Sequence, residues 1–172
     1  GADIYLQNGA TWNNEWIGME RPTPKKERPS GDNAAYLYKG SKVRNLVGGV
    51  NPTAAGNIHP IDARPITIQN YSGYVNAIYK SGVPASEDGK GQIVVEHAAD
   101  NSHITMKGDH SGNTIDDASY KKDIQALAKK LQYTGNDKKL STTVQINEGV
   151  TTPGAVADLG ADHFDSQGHL VV

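Results

Sequence analysis

Cysteine is absent from the 172-residue chain, which excludes a disulfide framework and any thiolate metal site. A bacterial protein that crosses an oxidising periplasm unfolded gains from this, because no thiol can be trapped in a wrong pairing. The absence therefore favours export. No apolar run comes near the ~20 residues that span a bilayer. A strong charge of either sign is missing too, the net charge being −2. The densest basic run, Lys25-Lys26-Glu27-Arg28, is interrupted by an acid, so the basic face of a nucleic-acid binder is not found and nucleic acid is not expected as a partner. Hydrophobic residues are scarce at 36%, while glycine is plentiful at 19 residues. That mix suits short strands and tight turns better than a thick layered core. No secretory leader precedes Gly1-Ala2-Asp3, which enter directly into a strand pattern, so the sequence reads as a mature or excised fragment.

What is present is mostly period-2 patterning. Ala2, Ile4 and Leu6 alternate with Asp3, Tyr5 and Gln7 before the turn signal Asn8-Gly9, and an extended pattern resumes from Ala10 to Trp16 with Trp12 as an apolar anchor. Residues 20–33 carry three prolines and mixed charge; proline lacks a ladder donor, so this stretch reads as a loop excursion. Strand patterns follow at 34–39 and 41–47, at 65–70 and 74–79, at 92–97 and 103–107, and at 142–147, with 169–172 opening or closing a last one. Residues 51–60 read as a second loop.

One segment departs from this. Tyr120, Ile124, Leu127, Ala128 and Leu131 share a face at helical spacing, which predicts an α-helix over about 115–132. Thr114 and Asp117 form a capping pair, Lys129 and Lys130 suit the last turn, and Gly135 suits a left-handed stop.

The strand ends resemble one another. Leu6-Gln7-Asn8, Ile68-Gln69-Asn70, Val95-Glu96-His97 and Ile146-Asn147 each place an aliphatic residue one or two positions before Asn or His. Their intervals approximate multiples of about 25, the length of one solenoid coil. Asn tolerates left-handed corners and can stack in side-chain ladders. Stacked coils would bury Ile4, Leu6, Ile66, Ile68, Val75, Ile93, Val95, Ile104, Val144 and Ile146 in one column. The expected fold is all-β: a right-handed parallel β-helix, residues 1–172 forming a single segment, with long loops and one flanking helix. A β-sandwich is the alternative.

The runs Asp3-Ile4-Tyr5-Leu6-Gln7-Asn8-Gly9-Ala10-Thr11-Trp12, Ile66-Thr67-Ile68-Gln69-Asn70-Tyr71-Ser72-Gly73 and Val144-Gln145-Ile146-Asn147-Glu148-Gly149-Val150-Thr151 resemble the passenger repeats of Gram-negative autotransporter adhesins. So does the stretch from Asp116 through Leu131 into Gln132-Tyr133-Thr134-Gly135. The resemblance implies a segment of a larger protein displayed on the bacterial cell surface. It implies membrane attachment only through a C-terminal barrel outside this chain. The family shares no catalytic motif, so no catalytic residue is carried over.

Reactive constellations are few. Asp109, Asn113, Asp116 and Asp117 lack the alternating spacing of a calcium loop. His97, His103 and His110 fall six and seven apart and do not converge, so no metal or cofactor is expected. Asp62, Glu87, Asp88, Glu96, Asp100 and Asp109 offer carboxylates without a recognisable glycosidase pair. Gly-x-Ser-x-Gly and phosphate-binding loops are absent. Aromatics are the better lead. Trp16, Tyr36, Tyr38, Tyr74 and Tyr79 are candidate ligand contacts, since Tyr and Trp pair an apolar face with a polar tip. Trp12 and Tyr71 belong with them or fill corners. The expected function is non-enzymatic: an adhesin-type segment binding a host or bacterial surface glycan or protein, with self-association through bare ends unless loops cap them. The alternatives are a structural stalk and a β-helical polysaccharide lyase or hydrolase.

Overall fold

A computed structural model describes residues 2–14, 40–60, 64–79, 91–110, 112–137 and 139–172. The loop expected at 20–33, the strand expected at 34–39, and Asp62, Glu87 and Asp88 lie outside the described residues.

Eleven strands divide into two sheets among the described residues. One holds β1 (Ala2–Tyr5), β3 (Ser41–Val47), β5 (Ile66–Ser72), β7 (Ile93–Ala98) and β9 (Leu131–Tyr133), in that order. The other runs β2 (Thr11–Asn14), β4 (Gly56–Pro60), β6 (Tyr74–Tyr79), β8 (Ser102–Gly108), β10 (Leu140–Ile146) and β11 (Val156–Leu159). Through β10 the chain changes sheet at every step, and each strand pairs in parallel with the strand two places on. Among the described strands only β11 is reversed, lying antiparallel on β10.

This corrects the expected fold class. The chain forms two distinct sheets of five and six strands, the larger one mixed, with a helix beside them, rather than a closed right-handed solenoid. Period-2 patterning specifies which residues face inward. An inward residue looks the same in sequence whether the wall behind it is a closed coil or one of two sheets. The hairpin-built sandwich is overturned as well. Asn8-Gly9 and the turn before Ser102 do not join paired strands; they carry the chain from one sheet to the other.

The core lies between the sheets. Leu46, Ile66, Ile68, Ile93 and Val95 of the smaller sheet form one cluster with Ile58, Val75, Ile104, Met106 and Val144 of the larger. Every member of the expected apolar column is buried except Ile4, which packs partly buried against the cluster. Burying each such side chain contributes about 1.5–3 kcal/mol. Corners are tight. Asn8, Asn101 and Asn147 have φ of 54°, 61° and 59°, the left-handed geometry that Asn accepts more readily than other non-glycine residues. Gly56 has no room for a side chain, since a Cβ there would stand 2.3 Å from the Leu6 carbonyl carbon.

Helix α1 spans Asp117–Ala128, shorter than expected at both ends. Its cap is Asp116, whose side chain accepts from the Ser119 amide at 2.7 Å, not Thr114. Leu131-Gln132-Tyr133 leave the helix to pair with Ile93-Val94-Val95 of β7. A backbone ladder on a buried strand outweighs one further helical turn, and Leu131 is fully buried. Tyr120, Ile124, Leu127 and Ala128 form the buried face of α1, which packs on β10 and on the short turn Pro153–Ala155. Residues 51–60, read as a loop, contain β4, and β11 carried no signal strong enough to be singled out.

Candidate functional site

Three aligned kinks build the outer face of the five-stranded sheet. In β3, β5 and β7 the in–out alternation fails at the same level: Val43 is buried, Arg44 and Asn45 are not, and Leu46 is buried again. Ile68, Gln69-Asn70 and Tyr71 repeat this, as do Val95, Glu96-His97 and Ala98. Two successive side chains therefore leave the sheet together. The parallel register places Asp3, Asn45, Asn70 and His97 in one row.

Asp3, Asn45 and Asn70 are held by their own hydrogen bonds. Asn70 Nδ2 donates to Asn45 Oδ1 at 3.1 Å, and Asn45 Nδ2 donates to Asp3 Oδ1 at 2.9 Å. Arg44 closes the end with two bonds to the same carboxylate, both 3.1 Å. These donors hold the Asp3 carboxyl below the usual carboxylate range, the Arg44 hydrogen bond being the largest cause and that of Asn45 the next. Beside the row, Tyr5 is 68% exposed. A groove of about 390 Å³ runs between them, lined by Asp3, Tyr5, Asn45, Asn70, Ser72 and His97 among others. Fixed carboxamides and a carboxylate beside an exposed aromatic ring can bind neighbouring hydroxyls while the ring covers an apolar patch.

Of the expected contact residues, Tyr74 and Tyr79 are described, and both lie on β6. Trp16, Tyr36 and Tyr38 lie outside the described residues. Tyr74 is half-buried on the opposite sheet, stacked on His103 with ring centres 5.7 Å apart. Tyr79 belongs to the core: its hydroxyl donates to the Gly91 carbonyl at 2.7 Å, and burial pushes its ionisation far up. Tyr71 is also interior, donating to the His103 carbonyl at 2.6 Å. Trp12 is half-buried against the core. Sequence reading singled out Asn70 and His97 through the repeat and expected an Asn ladder. Asp3, Asn45 and Tyr5 were missed. For Asn45 a signal was available, since it precedes Asn70 by 25 residues.

The histidines stand apart. His97 is on the smaller sheet, His103 on the larger, and His110 pairs with Asp123 of α1. Among the described residues no group of three or more His, Asp or Glu is placed to hold a metal ion, and no helix is long and apolar enough to cross a membrane. Compared with family models, with curated proteins and with solved structures, the chain matches none.

Proposed function

We propose that this chain is a cell-surface, adhesin-type binding segment that takes a neutral glycan of a host or neighbouring bacterial cell along the outer face of the five-stranded sheet. The observation that carries this reading is the Asp3–Asn45–Asn70–His97 row beside the exposed ring of Tyr5. Hydroxyl pairs on a pyranose ring match planar carboxamides and carboxylates. The less polar ring face suits stacking on tyrosine. Asp3, Asn45 and Asn70 are fixed by mutual hydrogen bonds, so little of their side-chain entropy is lost when a ligand arrives. Export is supported by the complete lack of cysteine.

A glycan array probed with the folded protein tests the reading. Binding to at least one neutral glycan is expected, with affinity falling about tenfold or more in Tyr5→Ala and in Asn70→Ala, since each step of 1.4 kcal/mol is tenfold. A folded protein that binds no glycan, or variants that bind unchanged, would leave the row as mortar between strands and favour a stalk.

A further inference from the structure

The opposite face carries a different kind of constellation. Strands β8, β10 and β11 are neighbours, and their register sets His103 against Ser141 and Thr143 against Asp158. His103 Nδ1 is 2.7 Å from Ser141 Oγ, and its Nε2 is 2.9 Å from Thr143 Oγ1. The Thr143 hydroxyl donates in turn to Asp158 Oδ1 at 2.8 Å. Tyr74 of β6 stacks on the imidazole, and Tyr71 anchors the His103 carbonyl from inside.

Proton counting fixes the direction of this chain of bonds. Thr143 has one hydroxyl proton, and the Asp158 carboxylate takes it. Thr143 must therefore accept from His103 Nε2–H, which leaves the lone pair of Nδ1 facing Ser141. Among the described residues the Ser141 hydroxyl also has the Ser102 carbonyl as an acceptor, at a longer 3.4 Å. Burial lowers the His103 pKa, with Asp158 pulling the other way, so the ring is neutral and basic at neutral pH. A nucleophile within hydrogen-bond reach of a base, itself oriented by a third group, is the arrangement that activates a hydroxyl. All the groups sit on paired strands, the most rigid places a fold offers.

We propose that Ser141 is a nucleophilic acyl acceptor, with His103 as its general base and Thr143 and Asp158 as positioning residues. This stands independently of the glycan reading, on the other sheet. In the step, Ser141 Oγ bonds to the carbonyl carbon of an ester while its proton passes to His103 Nδ1. The bond from that carbon to the leaving oxygen then breaks, and the departing alcohol takes the proton from Nδ1. The products are acyl-Ser141 and a free alcohol. Asp158, through the Thr143 hydroxyl, steadies the transient imidazolium. Ser141, His103 and Thr143 are half-buried rather than sealed. The charge closing the relay is a carboxylate, which repels anions, so the acyl donor is uncharged.

p-Nitrophenyl acetate is the probe, with release of p-nitrophenol followed in solution and the acetyl group located by mass spectrometry of peptides. Acetylation is expected at Ser141, faster than at the same residue in the urea-unfolded chain. It is expected to fall by roughly a hundredfold in His103→Gln, the size of a general-base contribution. Thr143→Val should slow the reaction and alter its pH profile, and Thr143→Ser should restore both. If His103→Gln does not fold, the pH dependence of the wild-type rate serves instead. It must follow the His103 titration seen by NMR, the groups facing that ring being Tyr74, Ser141, Thr143 and Asp158. Acetylation of Ser141 no faster than in the unfolded chain, or unchanged without the imidazole, would overturn the proposal.

Discussion

Thr142 sits fully buried on β10 between Ile104 and Leu159, and its hydroxyl has no hydrogen-bond partner among the described residues. An unpaired buried hydroxyl costs on the order of 1–3 kcal/mol. Thr142→Val keeps the branched shape and removes that cost, so it is expected to raise stability by about 1 kcal/mol in urea denaturation. A fall would mean that the hydroxyl is satisfied. Ile68, wholly inaccessible at the centre of β5, gives the opposite sign: Ile68→Ala is expected to cost about 2–5 kcal/mol in the same measurement. The two outcomes share a lesson about sequence. Alternation marked Ile68 as interior because an aliphatic residue has one good place to be. Thr142 also faces inward, but a hydroxyl reads as surface in sequence. Tyr79 illustrates the reverse error. Its polar tip suggested a surface contact, whereas the Gly91 carbonyl satisfies that tip inside the core.

Helix α1 is tied to the sheets through charge as well as packing. His110, in the segment after β8, pairs through Nδ1 with Asp123, while its own amide donates to Asn147 Oδ1 at 2.8 Å. The Asp123 hydrogen bond is the main cause that raises the His110 pKa above its ordinary 6.5, against a smaller opposing effect of burial. The folded state thus binds the proton more tightly than the unfolded one. The resulting stability is fully present below pH 6.5 and is lost as pH rises through the folded-state value. Asp116 works the other way. Its carboxyl is lowered from 3.8 chiefly by the Ser119 amide it caps, so its contribution holds above that value and fades as pH falls. Melting temperature measured against pH is expected to decline on the alkaline side of His110, and Asp123→Asn is expected to flatten that decline. An unchanged slope in the variant would remove the pair from the account. The helix itself was legible from its apolar stripe. Its C-terminal end was not, because Leu131 fits both the helical face and the inward face of β9. Only pairing with Ile93, far off in sequence, decides between them.

For the whole molecule, the sequence disclosed the inward column and the strand positions but not the way the strands are shared out. Pairing between strands separated by another strand leaves no local trace. At the C-terminal side the sheets are covered: β11 lies on β10, and the Gly168 carbonyl and Leu170 amide bond β9 at Tyr133 and Leu131. These segments protect edges that would otherwise offer unpaired donors and acceptors. A chain ending after Glu148 is expected to self-associate, with its mass by light scattering rising with concentration above that of the full chain. A truncated chain that stays monomeric at every concentration would show that the covering segments are dispensable.

The reversal at β11 has one more consequence. Strands that all run one way leave a rim whose donors and acceptors are evenly spaced, and any further strand of the same sense can dock there in the same rhythm. An antiparallel strand spaces its bonds in alternating near and far pairs. A newcomer in the earlier sense would therefore meet β11 only in the antiparallel pattern, so the single reversed strand ends the uniform parallel ladder.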